Sequence, residues 1–172
     1  MQNSLKQSFV VDNRPGASGL IGNELVVKSP PDGYTLLVAA SQIISSSVLF
    51  KDVKFNVEKS FVPITEIMTS PAVLVVGPSM QVKSIAELTA LAKKNPDKYS
   101  FASTGSASVP HVSAEMFQQG AQIKLLHVPY KGAGLALNDL MGGQVDVFFM
   151  TALSAIPHIQ SGKVRPLAVT SM

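Results

Sequence analysis

V-V-D-N-R-P-G-A-S-G-L-I-G at Val10–Gly22, with V-P-Y-K-G at Val128–Gly132, points to the fold class of this chain. The first reads as a short apolar strand, a proline-glycine turn and a glycine-loosened helix start. The second reads as a strand end that runs into another flexible turn. P-D-G-Y-T-L-L at Pro31–Leu37 and G-G-Q-V-D-V at Gly142–Val147 repeat the pattern of turn followed by apolar run. Strands that alternate with helices argue an α/β sheet with mostly parallel connections.

Outward from those stretches, the chain divides into two blocks. In the first, Phe9–Val11, Tyr34–Ala39 and Phe61–Met68 read as strands, with Pro63 pointing to an edge position. A helix is predicted near Gly19–Lys28 with Ile21, Leu25 and Val26 on one face, and another over Ser41–Phe50 with Ile44, Val48 and Leu49 inward. Ser70-Pro71 marks the boundary. The second block holds strands at Val73–Val76, Tyr99–Ala102, Leu125–Val128, Val145–Phe149 and Val164–Val169. Ser84-Ile85-Ala86-Glu87 is a capping-box signature that opens a helix ending at Asn95-Pro96. A second helix runs to about Gln119, with Gly120 as its C-terminal cap, and shorter ones cover Leu135–Met141 and Ser154–Gln160. The domain division is residues 1–70, 71–168 and 169–172, the last a return toward the first block.

Composition narrows the function. The 172 residues are 46% hydrophobic and 15% charged, a globular balance. The net charge of +3 comes from scattered basic residues, with Lys93-Lys94 the one adjacent pair. A nucleic-acid groove clusters its basic residues and interleaves aromatics, so nucleic acid is not an expected partner. The absence of cysteine excludes disulfides, thiolate catalysis and cysteine zinc sites. The three histidines lack H-E-x-x-H spacing, so neither a metal nor any other cofactor is expected. The first seven residues show neither the cationic start nor the apolar run of a signal peptide.

In open α/β sheets, ligands sit beyond the carboxyl ends of strands, where helix N-termini point. Four loops qualify: Ala40-Ser41-Gln42, Ser103–Ser108, Tyr130–Gly134 and Met150-Thr151. Ser103-Thr104-Gly105-Ser106-Ala107-Ser108 is the strongest, with four hydroxyls and a glycine ahead of a helix. Free N–H groups and the helix dipole there make an anion site without a charged side chain. An ordinary N-cap, with Ser106 or Ser108 bonding first-turn amides, is the plainer alternative. The candidate ligand-binding residues are Ser41, Gln42, Ser103, Thr104, Gly105, Ser106, Lys131, Gly132 and Thr151. Lys131 pairs with an anion or is simply solvated. Ser106 or Ser108 with His111 is capping chemistry rather than a nucleophile and base, since no G-x-S-x-G elbow surrounds either serine. Asp139 and Asp146 read as surface or capping residues. Gly16, Gly19 and Gly22 follow G-x-x-G-x-x-G, not the nucleotide fingerprint, and a tight turn explains them.

V-V-D-N-R-P-G, P-D-G-Y-T-L-L, K-S-I-A-E-L (Lys83–Leu88), H-V-P-Y-K-G (His127–Gly132), G-G-Q-V-D and G-K-V-R-P-L-A-V-T (Gly162–Thr170) stand in the order found in one family. The chain resembles the extracytoplasmic solute receptors of tripartite tricarboxylate transporters, the Bug family. That resemblance implies a two-lobed, Venus-flytrap, periplasmic-binding-protein-like architecture, with the second lobe nearly complete and the first partial at both ends. It implies capture of a small organic carboxylate without catalysis, delivery to membrane permease subunits, and a periplasmic location. Where most such receptors have asparagine or aspartate after the strand equivalent to Val145–Phe149, this chain has Met150-Thr151. A partial first lobe would leave strand edges at Val10, Val11, Leu36 and Leu37, which favours self-association. An enzyme domain with an anion-binding loop, and a solute sensor or interaction module, are the alternative readings.

Overall fold

The computed structural model describes residues 2–171. Its centre is β1 (Ala72–Val76), five consecutive buried residues, four of them Val or Leu, with no polar side chain. A strand with no polar face must be covered on both sides. Around it lie β2 (Ser100–Ser103), β3 (Leu126–Pro129), β4 (Val147–Thr151) and β5 (Arg165–Val169), in the order β3-β2-β4-β1-β5. β2 runs parallel to β3 and β4, whereas β1 runs antiparallel to β4 and β5. The expectation of mostly parallel connections is therefore corrected to a mixed sheet. Pro166 faces Val75 at a register shift in β5, and a residue without an N–H is tolerated there because β5 is an edge strand.

Alternation along the strands builds two cores. Leu74, Val76, Phe101, Val147 and Phe149 share one face with Leu88 of α5 (Ile85–Lys94) and Ala114 of α6 (Val109–Ala121). Val73, Val75, Ala102 and Phe148 share the other with Leu140 of α7 (Ala133–Met141) and Ala155 of α8 (Ala152–Gln160). The result is three layers, helix on sheet on helix. α5 starts as its capping signature predicts: Ser84 Oγ accepts from Glu87 N at 3.2 Å. The Glu87 carboxylate reaches one residue further back than the usual box and accepts from Lys83 N at 2.8 Å. α6 ends later than predicted. Gly120 stays helical and Gln122 takes the left-handed cap at φ 53°. The buried Gln118 side chain decides this, because its Oε1 accepts from Leu125 N at 2.6 Å and fixes the exit path. Asp146, expected as a surface or capping residue, accepts from the N–H and the hydroxyl of Ser100 at 2.9 and 3.2 Å and so anchors the start of β2.

Residues 2–71 contain α1 (Gln2–Leu5), a 3-10 turn at Ala17–Gly19, α2 (Leu20–Val27), α3 (Gln42–Leu49) and α4 (Val57–Ser60). The three predicted strands of this block form no ladder among the described residues. An extended apolar segment becomes a strand only when another backbone pairs with it. Val10, Val38 and Val62 are 92%, 80% and 88% exposed. The helix faces are also corrected. Ile21, Leu25, Ile44, Val48 and Leu49 are exposed, and the buried residues are Asn23 of α2 and Ser46 of α3. Helical period identifies an apolar stripe, but burial needs a layer opposite it. Val26, on the predicted stripe of α2, is half-buried.

Leu88 and Val62 give opposite expectations for stability. Leu88→Ala removes a fully buried side chain between α5 and the sheet, and is expected to cost about 2–5 kcal/mol. Val62→Ala, at an exposed position, is expected to stay within about 0.5 kcal/mol of the parent. Urea denaturation followed by circular dichroism measures both. Equal effects would show that the sheet core does not dominate folding.

Candidate functional site

Because β2, β3 and β4 are mutually parallel, their carboxyl ends reach one edge of the sheet, with Ser103 level with Pro129. From that edge the chain turns into α6, α7 and α8, whose N-termini face back toward it. The Ser103–Ser108 loop links β2 to α6.

Two of its hydroxyls point inward. Ser103 is fully buried, and its Oγ accepts from Gly105 N at 3.1 Å and lies 2.6 Å from His127 Nε2. Ser103 thus supports the loop from within instead of offering a hydroxyl to the surface. Ser108 is also fully buried and caps α6, accepting from His111 N at 3.4 Å, which is the plainer alternative for that residue. Gly105, at φ +110°, and Ala107, at φ +64°, turn the chain between these two anchors. What remains for a ligand is Thr104, which is half-buried, and Ser106, which is exposed. Neither their hydroxyls nor their backbone N–H groups have a protein partner among the described residues. Unpaired N–H groups beside a helix N-terminus favour an anion.

The N-terminal block closes over this loop. Ser18 Oγ donates to Ser106 O at 2.7 Å, and Ser45 Oγ donates to Ala107 O at 2.7 Å. Gln42 Nε2 in turn donates to Ser18 O at 3.1 Å. A Cβ on Gly105 would lie 2.9 Å from Ser18 Oγ, so the absence of a side chain there admits the contact. Ala17 and Ser18 both adopt left-handed backbone, at φ +46° and +54°, a conformation non-glycine residues seldom hold. Strain of this kind persists where surrounding contacts impose it. A cavity of about 280 Å³ adjoins the turn, lined by Arg14, Gly19, Asn23 and Gln42 among others. A larger open groove of about 700 Å³ lies at the far end of α6, between Lys93 and Lys124, away from the strand ends.

The other sequence candidates are spread along the same edge. Ser41 precedes α3 as its N-cap residue, is exposed, and makes no side-chain cap. Lys131 is exposed, without an ion pair among the described residues. Gly132 is the N-cap of α7 in extended backbone, with open space where a side chain would be. Thr151 ends β4, and its hydroxyl donates to Ser154 Oγ at 2.9 Å. Asp139, read as a surface or capping residue, accepts from the Tyr130 hydroxyl at 2.8 Å. Burial first, and then that bond, push the Tyr130 pKa up to about 12. Together with Tyr130 N donating to Ser103 O at 2.9 Å, this ties the second loop to the first.

Ser18 and Ser45 are absent from the sequence candidates. The glycines around Ser18 signal a turn, but no local pattern marks either hydroxyl as a partner of a loop some sixty or more residues away. His127 carries no sequence signal either. Its ring stacks on Phe101 at 4.8 Å between centroids and on His111 at 4.4 Å. Burial, and then the neighbouring His111, lower its pKa, with a smaller opposing effect from Glu115. The Ser103–His127 contact has the atoms of a nucleophile and base, but Ser103 is sealed from solvent and its oxygen already accepts from Gly105. Among the described residues no group of three or more His, Asp or Glu side chains could hold a metal.

Comparison with known proteins places the chain in a family. BugT of Bordetella pertussis is 36% identical over 173 residues, covering 99% of this chain and 53% of that protein. The solved R. palustris protein Rpa4515 with adipate superposes with a TM-score of 0.94 at 33% identity, covering 99% of this chain and 57% of that one. The periplasmic binding protein BugD gives 0.87 at 33% identity, with the same coverage. The chain spans about half the length of the curated relatives it matches. These are solute-binding receptors, not enzymes, and their mixed α/β fold is the one seen here. The model of the tripartite tricarboxylate transporter family receptor matches residues 1–172, and the chain belongs to that family, the TctC or Bug receptors.

Proposed function

We propose that this chain contributes the binding site for a small organic carboxylate, taken up in the periplasm and passed to the membrane permease of a tripartite transporter. The observation that carries the reading is the loop after β2. Thr104 and Ser106 hold unpaired N–H and hydroxyl groups at the start of α6, and no ionisable side chain of the loop itself competes for the ligand. A site of neutral donors suits a solute that must be released again, because it avoids burying an ion pair. Rpa4515, solved with adipate, supports a dicarboxylate as the class. On this reading residues 71–168 form one wall of the cleft, and residues 1–70 the other, through Ser18, Ser41, Gln42 and Ser45. Lys131, Gly132 and Thr151 border the site from the neighbouring strand ends.

Calorimetry with a panel of straight-chain dicarboxylates, adipate included, tests the reading, with product analysis of the same mixtures. Saturable binding of at least one acid and no turnover are expected; conversion of the bound acid would overturn it. Thr104→Ala is expected to remove about 0.5–1.5 kcal/mol of binding, as for one neutral hydrogen bond. Lys131→Ala is expected to remove less, because the ammonium is solvated.

Gly105→Ala is expected to weaken binding more than either. It places a side chain at φ +110° and against Ser18, at a cost of about 1–3 kcal/mol. Ser18→Gly, combined with Gly105→Ala, is expected to recover the part due to the clash and not the part due to backbone strain. A Gly105→Ala variant that binds like the parent would move the site away from this loop.

A further inference from the structure

We propose that His111 and His127 are positioning residues that hold the two ends of the Ser103–Ser108 loop, and that the hold at Ala107 requires an uncharged His111 ring, since only a bare Nδ1 can accept there. The proposal rests on the loop being the carboxylate site, as argued above, and adds what controls it.

The two rings grip opposite ends of the loop. His127 Nε2 meets Ser103 Oγ at 2.6 Å, at the end of β2. His111 Nδ1 accepts from Ala107 N at 3.3 Å, just ahead of α6. Between them the loop's other internal ties are Gly105 N to Ser103 Oγ, Ser103 Oγ to Gly105 O, and Ser108 N to Gly105 O. Ala107 is fully buried, so its N–H has no water to turn to if His111 ceases to accept. Its carbonyl is where Ser45 docks, so a shift at Ala107 reaches the N-terminal block directly.

Charge state enters through the tautomer. A neutral imidazole that accepts at Nδ1 carries its proton on Nε2. In His111 that nitrogen lies 3.8 Å from Glu115 Oε1. A second proton must go onto Nδ1, where it would face the Ala107 N–H. His127 resists charging for other reasons. It sits between Phe101 and His111, and burial and the His111 ring both favour its neutral form. The titratable groups acting on it are His111 and Glu115, both on α6, while β2 presents only Phe101 and Ser103. With ring centroids 4.4 Å apart, two imidazolium ions would repel one another. A folded-state pKa held below the unfolded one means that the contribution of His127 to stability is fully present above the unfolded value. It is lost as the pH falls through the folded value.

Simple attraction would give the opposite sign for binding, since cationic rings beside an anion site should tighten it. That contrast makes the proposal testable on the whole chain. Nuclear magnetic resonance would follow the imidazole signals and the Gly105 and Ala107 amides from about pH 8 to pH 5, with adipate calorimetry at the same points. The loop amides are expected to shift with the ring titrations and to exchange faster in acid. Adipate affinity is expected to fall about five- to tenfold between pH 7.5 and 5.5, the range over which histidine charges. His111→Asn, whose amide oxygen can replace Nδ1 without titrating, is expected to flatten both profiles. His127→Gln, which can still reach Ser103, is expected to keep the loop amides near their parent positions, whereas His127→Leu displaces them. Loop amides indifferent to pH and to His111→Ala, or adipate binding that tightens in acid, would overturn the proposal. If the amides titrate with the rings but no acid of the panel binds, the carboxylate reading fails and the hold on the loop stands.

Discussion

The hydroxyl of Ser103 is the junction that shapes the loop between β2 and α6. It lies at the last position of β2, fully buried, and a buried hydroxyl must be satisfied where it stands. Its partners are the backbone amide and carbonyl of Gly105 two residues on and the His127 ring on the neighbouring strand. Those contacts bend the chain back immediately after the strand. They also register β3 against β2 at the place where the ladder ends. A serine in the core thus converts strand pairing into loop shape, and the outward-facing groups of Thr104 and Ser106 follow from it.

The second constraint is the meeting of the two halves of the chain. Apolar surface does little of the joining. Ser18 and Ser45 donate to the carbonyls of Ser106 and Ala107, while Ile21, Leu25, Ile44, Val48 and Leu49 of α2 and α3 remain exposed. Hydroxyl-to-carbonyl bonds are directional and individually modest, and each can be exchanged for water at small net cost. The left-handed Ala17 and Ser18 add a conformation that the contacts with the loop help to maintain.

The second block was largely legible in the sequence. The five strands, the capping box at Ser84 and the turn at Gly142-Gly143 all declare themselves through local period and turn chemistry. Boundaries moved by a few residues where a distant group intervened, as when Gln118 extended α6 past Gly120. The first block was legible only as a set of apolar runs. Phe9–Val11, Tyr34–Ala39 and Phe61–Met68 have strand composition, yet no backbone among the described residues pairs with them. Nothing within a run can report whether a partner is present.

For the site, the amino-acid order by itself determined that a hydroxyl-rich loop with one glycine would stand between a strand and a helix. Strand ending, loop composition and helix cap are all written within a dozen residues. Which hydroxyls face inward was a tertiary decision. Ser103 and Ser108 became supports, Thr104 and Ser106 stayed free, and His127, Ser18 and Ser45 entered from 24, 88 and 62 residues away from their partners. The physical reason is range. Turn preference and periodicity act between neighbours in the chain, whereas burial and hydrogen-bond satisfaction act between whatever the packed sheet brings together.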